Sequence, residues 1–361
     1  MLRGHADLAV TASRLERAAA EGPAPARTAA RLDALRALTG DVIARLDEAL
    51  PRLADGGPGL AAEAARHLLS AGGKRVRPLL VVLARRACSG APPISDAEAS
   101  LAQAAELVHA ATLLHDDVLD DGRIRRGLPA ARVLWGNAAS VLGGDFLLVR
   151  ALELTAAAGV DGALTELLLA IARMIDGEAL QLAHRGRADL DAAGYLAVVD
   201  GKTASLFAWC GRAGARLAGA PEPHIDALGA YGLHLGRAFQ IVDDVLDVEG
   251  DPQALGKSVL CDLREGKLTL PILYALDGDP SLRRQLQAAH DLDETPPALA
   301  AALVAQVART EAAPRARAAA QRETRLAQGA LAPLAASARP IGRPFVDALE
   351  LIARELCERV S

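Results

Sequence analysis

Apolar residues recur every three or four positions along most of the chain from about residue 40, and this period is the strongest constraint on the fold. The stretches DVIARLDEAL and AAEAARHLLSAGG show it clearly, and the second ends in a glycine pair suited to a helix C-terminus. Hydrophobic residues make up 51% of the 361 residues but aromatic ones only 2%. A core built from alanine, leucine and valine favours packed helices over a β-sandwich. The sequence therefore predicts an all-α protein.

The same period predicts further helices at 96–120, 137–158, 162–184, 191–217, 224–248, 268–276, 296–312 and 343–359. Breakers such as APP, PEP, GDP and TPP fall between them, and alternating strand patterns are nearly absent. Residues 1–38 are rich in alanine, proline and arginine without a sustained period, which indicates a flexible or weakly helical extension. We therefore expect a single helical domain over residues 39–361.

Charge and cysteine usage exclude several classes of protein. The net charge of −5 argues against a nucleic-acid-binding protein, and no uncharged apolar run approaches the ~18 residues of a membrane span. Charged residues near the start of the chain argue against a signal peptide. The cysteines lie far apart without metal-binding spacing, which is typical of reduced thiols; they are Cys88, Cys210, Cys261 and Cys357. The sequence thus predicts a cytoplasmic protein.

The stretch LLHDDVLDD at 113–121 carries Asp116, Asp117 and Asp120 on an otherwise apolar run. On a helix, Asp116 and Asp120 project from one face, with Asp117 beside them. Such a cluster is either a solvated polar stripe or a metal site, because adjacent carboxylates resist burial unless a cation lies between them. A set of ligands made only of oxygen suits Mg²⁺.

A second stretch, FQIVDDVLD at 239–247, repeats the arrangement with Asp243, Asp244 and Asp247. Two copies on apolar helices make a solvated stripe the weaker interpretation. We therefore expect each cluster to occupy one wall of a single large helical bundle around a central cavity, with space for a polyanion between the walls.

Basic residues accompany the acidic clusters, and lysine is rare among the basic residues of this chain. Only four of the 40 basic residues are lysine, namely Lys74, Lys202, Lys257 and Lys267. Three cations lie in GGKRVRP at 72–78, and three more, Arg123, Arg125 and Arg126, follow the first acidic cluster. Each group alone is consistent with a basic turn. Together with the carboxylates they indicate a site for a metal-bridged diphosphate and a second, metal-free anion. His109, seven residues before Asp116, lies near the same helix face.

These motifs resemble those of the trans-isoprenyl diphosphate synthases, in the polyprenyl (octaprenyl-type) branch. The matching stretches are GGKRVRP, ELVHAATLLHDDVLD, RRG, WGNAASVLGGDFLL, GEALQL, GKTASLF, FQIVDDVLD, LGK and EGKLTLP. They occur in the family's order and cover about residues 40–360, and residues 1–38 have no counterpart. The resemblance implies the isoprenoid synthase fold and a homodimer.

The resemblance also implies roles for particular residues. Metal-binding and catalytic positions match Asp116, Asp117, Asp120, Asp243, Asp244 and Asp247, which hold three Mg²⁺ ions per active site, and Lys202 is also catalytic. Positions that hold isopentenyl diphosphate match Lys74, Arg77, His109 and Arg126. Positions that contact an allylic diphosphate match Arg125, Lys202, Thr203, Gln240 and Lys257, with Lys267 as an outer contact. One departure is the segment SVLCDLREGK, where Leu260 and Cys261 stand in place of the family's usual Gly-Asp or Asp-Asp pair and Asp262 is retained.

The implied reaction is a Mg²⁺-dependent condensation of isopentenyl diphosphate with farnesyl or geranylgeranyl diphosphate. The growing product should pass Thr112, Ala111 and Val108, and a bulky ring there would stop elongation. These side chains are small, so we expect a product of about C30 to C50, with a C20 product, geranylgeranyl diphosphate, as the alternative. A class I terpene cyclase and a non-catalytic subunit of a heteromeric synthase are further alternatives. The intact second DDxxD motif argues against both.

Overall fold

The computed structural model of the protein describes residues 39–40, 42–90, 94–185, 187, 189–249, 266–289, 298, 302, 305–306, 309–337 and 342–358. The helices in chain order are α1 (Gly59–Ser70), α2 (Val76–Ser89), α3 (Asp96–Leu119), α4 (Ala131–Ala157), α5 (Ala163–Ala183), α6 (Ala192–Val199), α7 (Ser205–Leu217), α8 (Glu222–Glu249), α9 (Leu270–Gly278), α10 (Pro280–Ala289), α11 (Ala312–Ala330), α12 (Ala332–Ser337) and α13 (Arg343–Glu358).

Shorter elements accompany these helices. A helical stretch over 42–49 runs into a 3-10 helix, Leu50–Ala54, and a π-helical turn, Asp200–Ala204, joins α6 to α7. A small antiparallel hairpin pairs β1 (Ile124–Arg125) with β2 (Leu128–Pro129), with Arg125 opposite Leu128. The predicted all-α fold class is therefore confirmed.

The chain forms two compact units. Unit 1 comprises Met1–Leu167, Trp209–Gly229 and Leu331–Leu351, and unit 2 comprises Leu168–Ala208, Ala230–Ala330 and Ile352–Ser361. The first acidic cluster belongs to unit 1 and the second to unit 2. The prediction of one domain over residues 39–361 stays a prediction, and the predicted extension 1–38 lies outside the described residues.

Local signals explain where α3 begins and ends. The hydroxyl of Ser95 accepts a hydrogen bond from the backbone N–H of Glu98, which caps the first turn. At the other end Asp121 adopts a left-handed conformation, with φ of 51°. The backbone N–H of Gly122 then bonds to the carbonyl of Asp117 at 2.9 Å and closes the helix. This ending fixes the first acidic cluster on the last turn of α3.

Small residues allow close packing in unit 1. Helix α4 packs against both α1 and α3. A Cβ atom added at Gly143 of α4 would lie 3.0 Å from the carbonyl oxygen of Ala61 and 3.3 Å from the Cβ of Ala64. The helix backbones therefore approach more closely than larger residues would permit, and this replaces the aromatic filling that the sequence lacks.

Unit 2 has its own apolar core and an equally close helix crossing. The core joins α6, α8, α9, α10 and α11, and includes Tyr195, Ile241, Val245 and Leu273. A Cβ added at Gly177 of α5 would lie 2.5 Å from the backbone N of Lys202. A Cβ added at Gly201 would lie 2.6 Å from the carbonyl of Arg173. These two glycines bring the π-helical turn directly against α5.

Most predicted helices are confirmed, and the differences have local causes. Helix α4 consists of two helical segments separated at Gly136, where φ of 83° and ψ of 165° are not helical; the longer segment begins at residue 137 as predicted, and the short one before it is not predicted. The period does not predict α2, α10, α11 or α12, and most of the predicted helix 296–312 lies outside the described residues. In α11 the buried face is made of alanines such as Ala316 and Ala320, which carry a weak apolar signal between arginines.

The described residues also bear on membrane spans and on the state of the cysteines. Within those ranges, no helix has the length and apolar character needed to cross a membrane. Cys88 and Cys210 are free thiols. Cys261 lies outside the described residues, and the side chain of Cys357 is also outside them.

Arg75 connects four elements of unit 1. It sits at the N-terminal end of α2 in a left-handed conformation (φ 49°), and its side chain is buried. Its Nη1 lies 2.5 Å from Oε1 of Glu106 in α3, and its Nε lies 2.8 Å from Oδ1 of Asp47. Its Nη2 bonds to the carbonyl of Leu69 in α1. Burial opposes the charged form, but Glu106 and Asp47 outweigh it and raise the pKa of Arg75.

We expect Arg75→Met to destabilise the protein strongly. Removing one partner of a buried ion pair costs about 3–5 kcal/mol, and here it leaves the Glu106 carboxylate with the longer contact to Arg126 at 3.4 Å. Urea unfolding followed by circular dichroism measures the change. Arg52→Met is the matched control, because Arg52 pairs with Glu48 on the exposed surface and such pairs contribute less than about 1 kcal/mol. Equal effects of the two substitutions would contradict the assigned role of Arg75.

Candidate functional site

The first acidic cluster occupies the last turn of α3 and the residue that follows it. Asp116 and Asp120 are half-buried, and the backbone N–H of Asp120 bonds to the carbonyl of Asp116. Asp117 is buried, with 1% of its surface exposed. Its Oδ1 accepts from Nε of Arg125 at 2.9 Å and lies 2.7 Å from Nη2 of the same residue. The hairpin therefore places Arg125 directly on the cluster.

The other oxygen of Asp117 has an environment that suits a cation. Oδ2 is buried and has no hydrogen-bond partner among the described residues. Burial raises the pKa of Asp117, and Arg125 opposes that shift only in part. A buried carboxylate oxygen without a donor is costly, and a nearby divalent cation would remove that cost. The first cluster thus fits a metal that prefers oxygen ligands.

Next to this cluster, unit 1 holds a concentration of arginines. Nη1 of Arg126 donates to the carbonyl of Gly72, and Nη2 lies 3.4 Å from Oε1 of Glu106. Burial lowers the pKa of Arg77, and Arg126 adds to the effect while Glu106 opposes it. Lys74 is exposed at the same loop. Glu106 is thus the carboxylate around which Arg75 and Arg126 meet.

The pKa of His109 reflects the electrostatic character of this region. Burial lowers this pKa well below the usual range, and the positive charges of Arg77, Arg126, Arg125 and Arg75 lower it further. The ring is therefore neutral at physiological pH. Four guanidinium groups that act on one imidazole create a positive potential that an anion with several oxygens can neutralise.

The positions expected to line the product path differ in exposure. Thr112 is half-buried, and its Oγ1 donates to the carbonyl of His109 at 2.8 Å. Ala111 and Val108 have no exposed surface in this structure. Of the three side chains, only that of Thr112 is partly exposed, so a larger side chain can be accommodated best at this position.

The second acidic cluster lies near the C-terminal end of α8. Asp243 is exposed, Asp247 is half-buried and Asp244 is buried. Oδ2 of Asp244 accepts from the hydroxyl of Tyr195 at 2.5 Å, and Oδ1 accepts from Nε2 of Gln240 at 2.9 Å. The amide oxygen of Gln240 in turn accepts from Oγ1 of Thr203 at 3.0 Å. Three of the predicted site residues of unit 2 are thus linked directly.

Lys202 is held by two side chains of α5. Its Nζ lies 2.5 Å from Oε2 of Glu178 and donates to Oε1 of Gln181 at 2.9 Å. Lys202 and Thr203 are both in the π-helical turn, yet one bonds to α5 and the other to α8. The turn itself is anchored at its first residue, because Arg237 contacts both carboxylate oxygens of Asp200 at 2.5 and 2.7 Å.

Two of the predicted lysines follow α8 in the chain. Lys267 is half-buried, two residues before the N-cap of α9, Thr269. Lys257, with Leu260 and Cys261, lies outside the described residues.

In the described ranges, no three histidine, cysteine or acidic side chains converge as a preformed metal site. Mg²⁺ does not require one, since it is commonly bound by one or two carboxylates together with substrate phosphates.

The sequence patterns do not identify several side chains that hold the predicted site residues. Glu106, Glu178 and Gln181 lie within the stretches that resemble the family, but their spacing alone assigns them no contact. Tyr195 lies outside those stretches. A signal for Glu106 exists, because an acidic residue on the apolar face of a predicted helix needs a buried cation as partner.

Comparison with known proteins identifies the family. The sequence model described as "Polyprenyl synthetase" matches residues 59–307. Heptaprenyl diphosphate synthase component 2 from Geobacillus stearothermophilus is 39% identical over 282 residues, covering 78% of this chain and 86% of that protein. Geranylgeranyl diphosphate synthase from Saccharolobus solfataricus is 38% identical over 223 residues, covering 59% of this chain and 66% of that protein. The relatives thus include both long-chain and C20 synthases.

A solved structure agrees with the sequence comparison. Polyprenyl synthase from Caulobacter crescentus, solved with calcium and isoprenyl diphosphate, superimposes with a TM-score of 0.82 at 36% identity. The superposition covers 91% of this chain and 97% of that one. The similarity confirms that the fold is that of the isoprenoid synthases. The chain therefore belongs to the polyprenyl synthetase family and is a prenyltransferase.

Proposed function

We propose that this protein is a trans-polyprenyl diphosphate synthase that condenses isopentenyl diphosphate head-to-tail with farnesyl or geranylgeranyl diphosphate. The observation that carries the proposal is the buried Asp117 oxygen without a donor, adjacent to a group of four arginines. A cation would remove the cost of burying that oxygen, and the positive potential of the arginines favours an anion with several oxygens. A metal-bridged diphosphate satisfies both.

In unit 1 we assign two neighbouring tasks. Asp116, Asp117 and Asp120 would hold Mg²⁺, and Arg125, which bonds to Asp117, would bind the allylic diphosphate beside it. Lys74, Arg77, His109 and Arg126 would hold isopentenyl diphosphate without metal. Because His109 is neutral, its ring can donate a hydrogen bond to a diphosphate oxygen without adding to the crowded positive charge.

In unit 2 we assign residues that would bind the allylic diphosphate, which is the leaving group of the reaction. Lys202, Thr203 and Gln240 would bind the allylic diphosphate, with Lys257 and Lys267 as further cations. Asp243, Asp244 and Asp247 would bind a further Mg²⁺. When bound, Mg²⁺ supplies the positive charge that neutralises the departing diphosphate. The side chains orient the two substrates so that the double bond of isopentenyl diphosphate attacks the allylic carbon.

The activity itself gives the first test. The purified chain, incubated with Mg²⁺, isopentenyl diphosphate and either allylic primer, should form a linear polyprenyl diphosphate identified by mass. Asp116→Asn should lower turnover by roughly 10²–10³-fold, because the charge that holds the metal is lost. Asp121→Asn is the matched control, since Asp121 is exposed and contacts Arg132 on the surface. Its turnover should be that of the wild type.

The products also separate the alternatives. Cyclic hydrocarbons would identify a class I terpene cyclase. No product with any primer would identify a subunit that needs a partner chain. The similarity to a protein named component 2 of a heptaprenyl diphosphate synthase is the reason to test for this outcome. Full turnover by Asp116→Asn would contradict the metal assignment.

We propose a product of about C30 to C50, with a C20 product as the alternative. The support is that Thr112, Ala111 and Val108 are all small for positions that precede the first acidic cluster on α3. The relatives include a heptaprenyl and a geranylgeranyl diphosphate synthase, so the product length is to be measured.

Thr112→Phe should shorten the product by at least one isoprene unit of five carbons. The ring would extend from a half-buried position toward the growing chain and stop elongation there. Mass spectrometry of the dephosphorylated product measures the change. Thr112→Val has the same size as threonine and should leave the length unchanged, so that a shift in both variants would contradict a steric cause.

We further propose that the protein forms a homodimer. In unit 1, helix α4 exposes five large apolar residues, Val133, Leu134, Val141, Leu142 and Val149. In unit 2, helix α5 exposes Leu168, Ile175 and Leu182, which recur every seven residues. Apolar stripes of this length are typical of surfaces covered by another subunit.

Leu142→Glu should convert the dimer to a monomer, because a carboxylate would be buried in an apolar interface. Sedimentation velocity at micromolar concentration measures the mass. Leu326→Glu on α11 is the matched control: Leu326 is 51% exposed, close to the 57% of Leu142, but it has no place in either stripe. A wild-type monomer, or equal dissociation in both variants, would contradict the proposed interface.

A further inference from the structure

The chain of hydrogen bonds in unit 2 contains one residue that touches neither substrate in the proposed reaction. Tyr195 of α6 is buried, with 5% of its surface exposed, and its ring belongs to the apolar core of the unit. Its hydroxyl donates to Oδ2 of Asp244 at 2.5 Å. A buried tyrosine normally finds a partner for its hydroxyl, and here the partner is a carboxylate of the second acidic cluster.

The hydrogen bonds around Asp244 run in one direction. The NH₂ group of Gln240 donates to Oδ1 of Asp244. The amide oxygen of Gln240 is then turned away from Asp244 and accepts from Thr203. The order is therefore Thr203 to Gln240 to Asp244, with Tyr195 donating to the other carboxylate oxygen.

The burial of Asp244 explains why this order depends on Tyr195. Ile241, Val245 and Val248 of the same helix belong to the apolar core that surrounds the carboxylate. A carboxylate in such a place changes its orientation or its charge when a donor is lost. Gln240 would then lose the acceptor that fixes its amide, and the amide oxygen that accepts from Thr203 would move with it.

We propose that Tyr195 is a positioning residue that orients Asp244, and through it Gln240 and Thr203, for the allylic diphosphate. The inference rests on the proposed function, because the substrate is the one assigned there to Thr203 and Gln240. It adds that the hydroxyl of Tyr195 connects the apolar core of unit 2 to these polar groups. Binding of isopentenyl diphosphate is independent of it, since the residues assigned to that substrate belong to unit 1.

The test is Tyr195→Phe, which removes only the hydroxyl. Calorimetry with farnesyl thiodiphosphate, an allylic analogue that resists ionisation, and Mg²⁺ should show about tenfold weaker binding, the usual effect of losing one hydrogen bond to a charged group. The KM for isopentenyl diphosphate should stay within about twofold of the wild type. Tyr274→Phe is the matched control, because Tyr274 packs on the same core and contacts Arg315 through its ring.

A double-mutant cycle separates positioning from general stability. If Tyr195 acts through the chain of bonds, Thr203→Val and Tyr195→Phe together should weaken binding of the analogue by about as much as either alone. Additive losses would overturn the proposal, as would an unchanged affinity in Tyr195→Phe. If that variant does not fold, Gln240→Glu, which cannot donate to Asp244, must show the same selective loss, and unchanged affinity there would also overturn it.

Failure of the inference is distinct from failure of the proposed function. A wild-type protein that forms no prenyl product with any primer would contradict the function. A wild-type protein that forms product, together with a Tyr195→Phe variant that binds farnesyl thiodiphosphate as tightly, would contradict only the role of Tyr195.

Discussion

The structure depends on placing carboxylates against apolar helix surfaces, where each needs a donor or a cation. In unit 1 Glu106 is satisfied by arginines, and in unit 2 Asp244 is satisfied by a tyrosine and an amide. Asp117 is satisfied on one oxygen only. Asp117 and Asp244 occupy the same position in their motifs but differ in their surroundings: both oxygens of Asp244 accept a hydrogen bond, whereas only one oxygen of Asp117 does. The first cluster therefore offers a metal a buried oxygen without a donor, and the second offers a carboxylate already oriented by its neighbours.

The arginines divide in the same way. Arg75 contacts two carboxylates and a carbonyl and is buried, so its charge is used within unit 1. Arg77 has a pKa lowered by burial, and Lys74 is exposed. In the proposed function both bind isopentenyl diphosphate, so this short stretch would combine one structural residue, Arg75, with a binding residue on each side of it.

The sequence predicts the fold class, most helix positions and both acidic clusters, because these depend on local periodicity and on spacing within one helix. It does not predict α11, whose alanine face gives little contrast, or the hairpin that carries Arg125 to Asp117. Contacts between distant segments cannot be read from local spacing at all. Nothing in the spacing of Tyr195 and Asp244 indicates that they meet, since the contact depends on how α6 packs against α8.

The π-helical turn shows how the packing of helices sets the direction of the side chains assigned to the site. Successive residues of a regular helix point about 100° apart, and a turn with one extra residue shifts everything after it. In this turn Lys202 bonds to α5 and Thr203 to α8, so two adjacent residues serve two different helices. The glycine at 201 permits the close approach to α5, and the pair between Asp200 and Arg237 holds the first residue in place. The π-helical geometry of this turn therefore shifts the residues of α7 relative to those of α6.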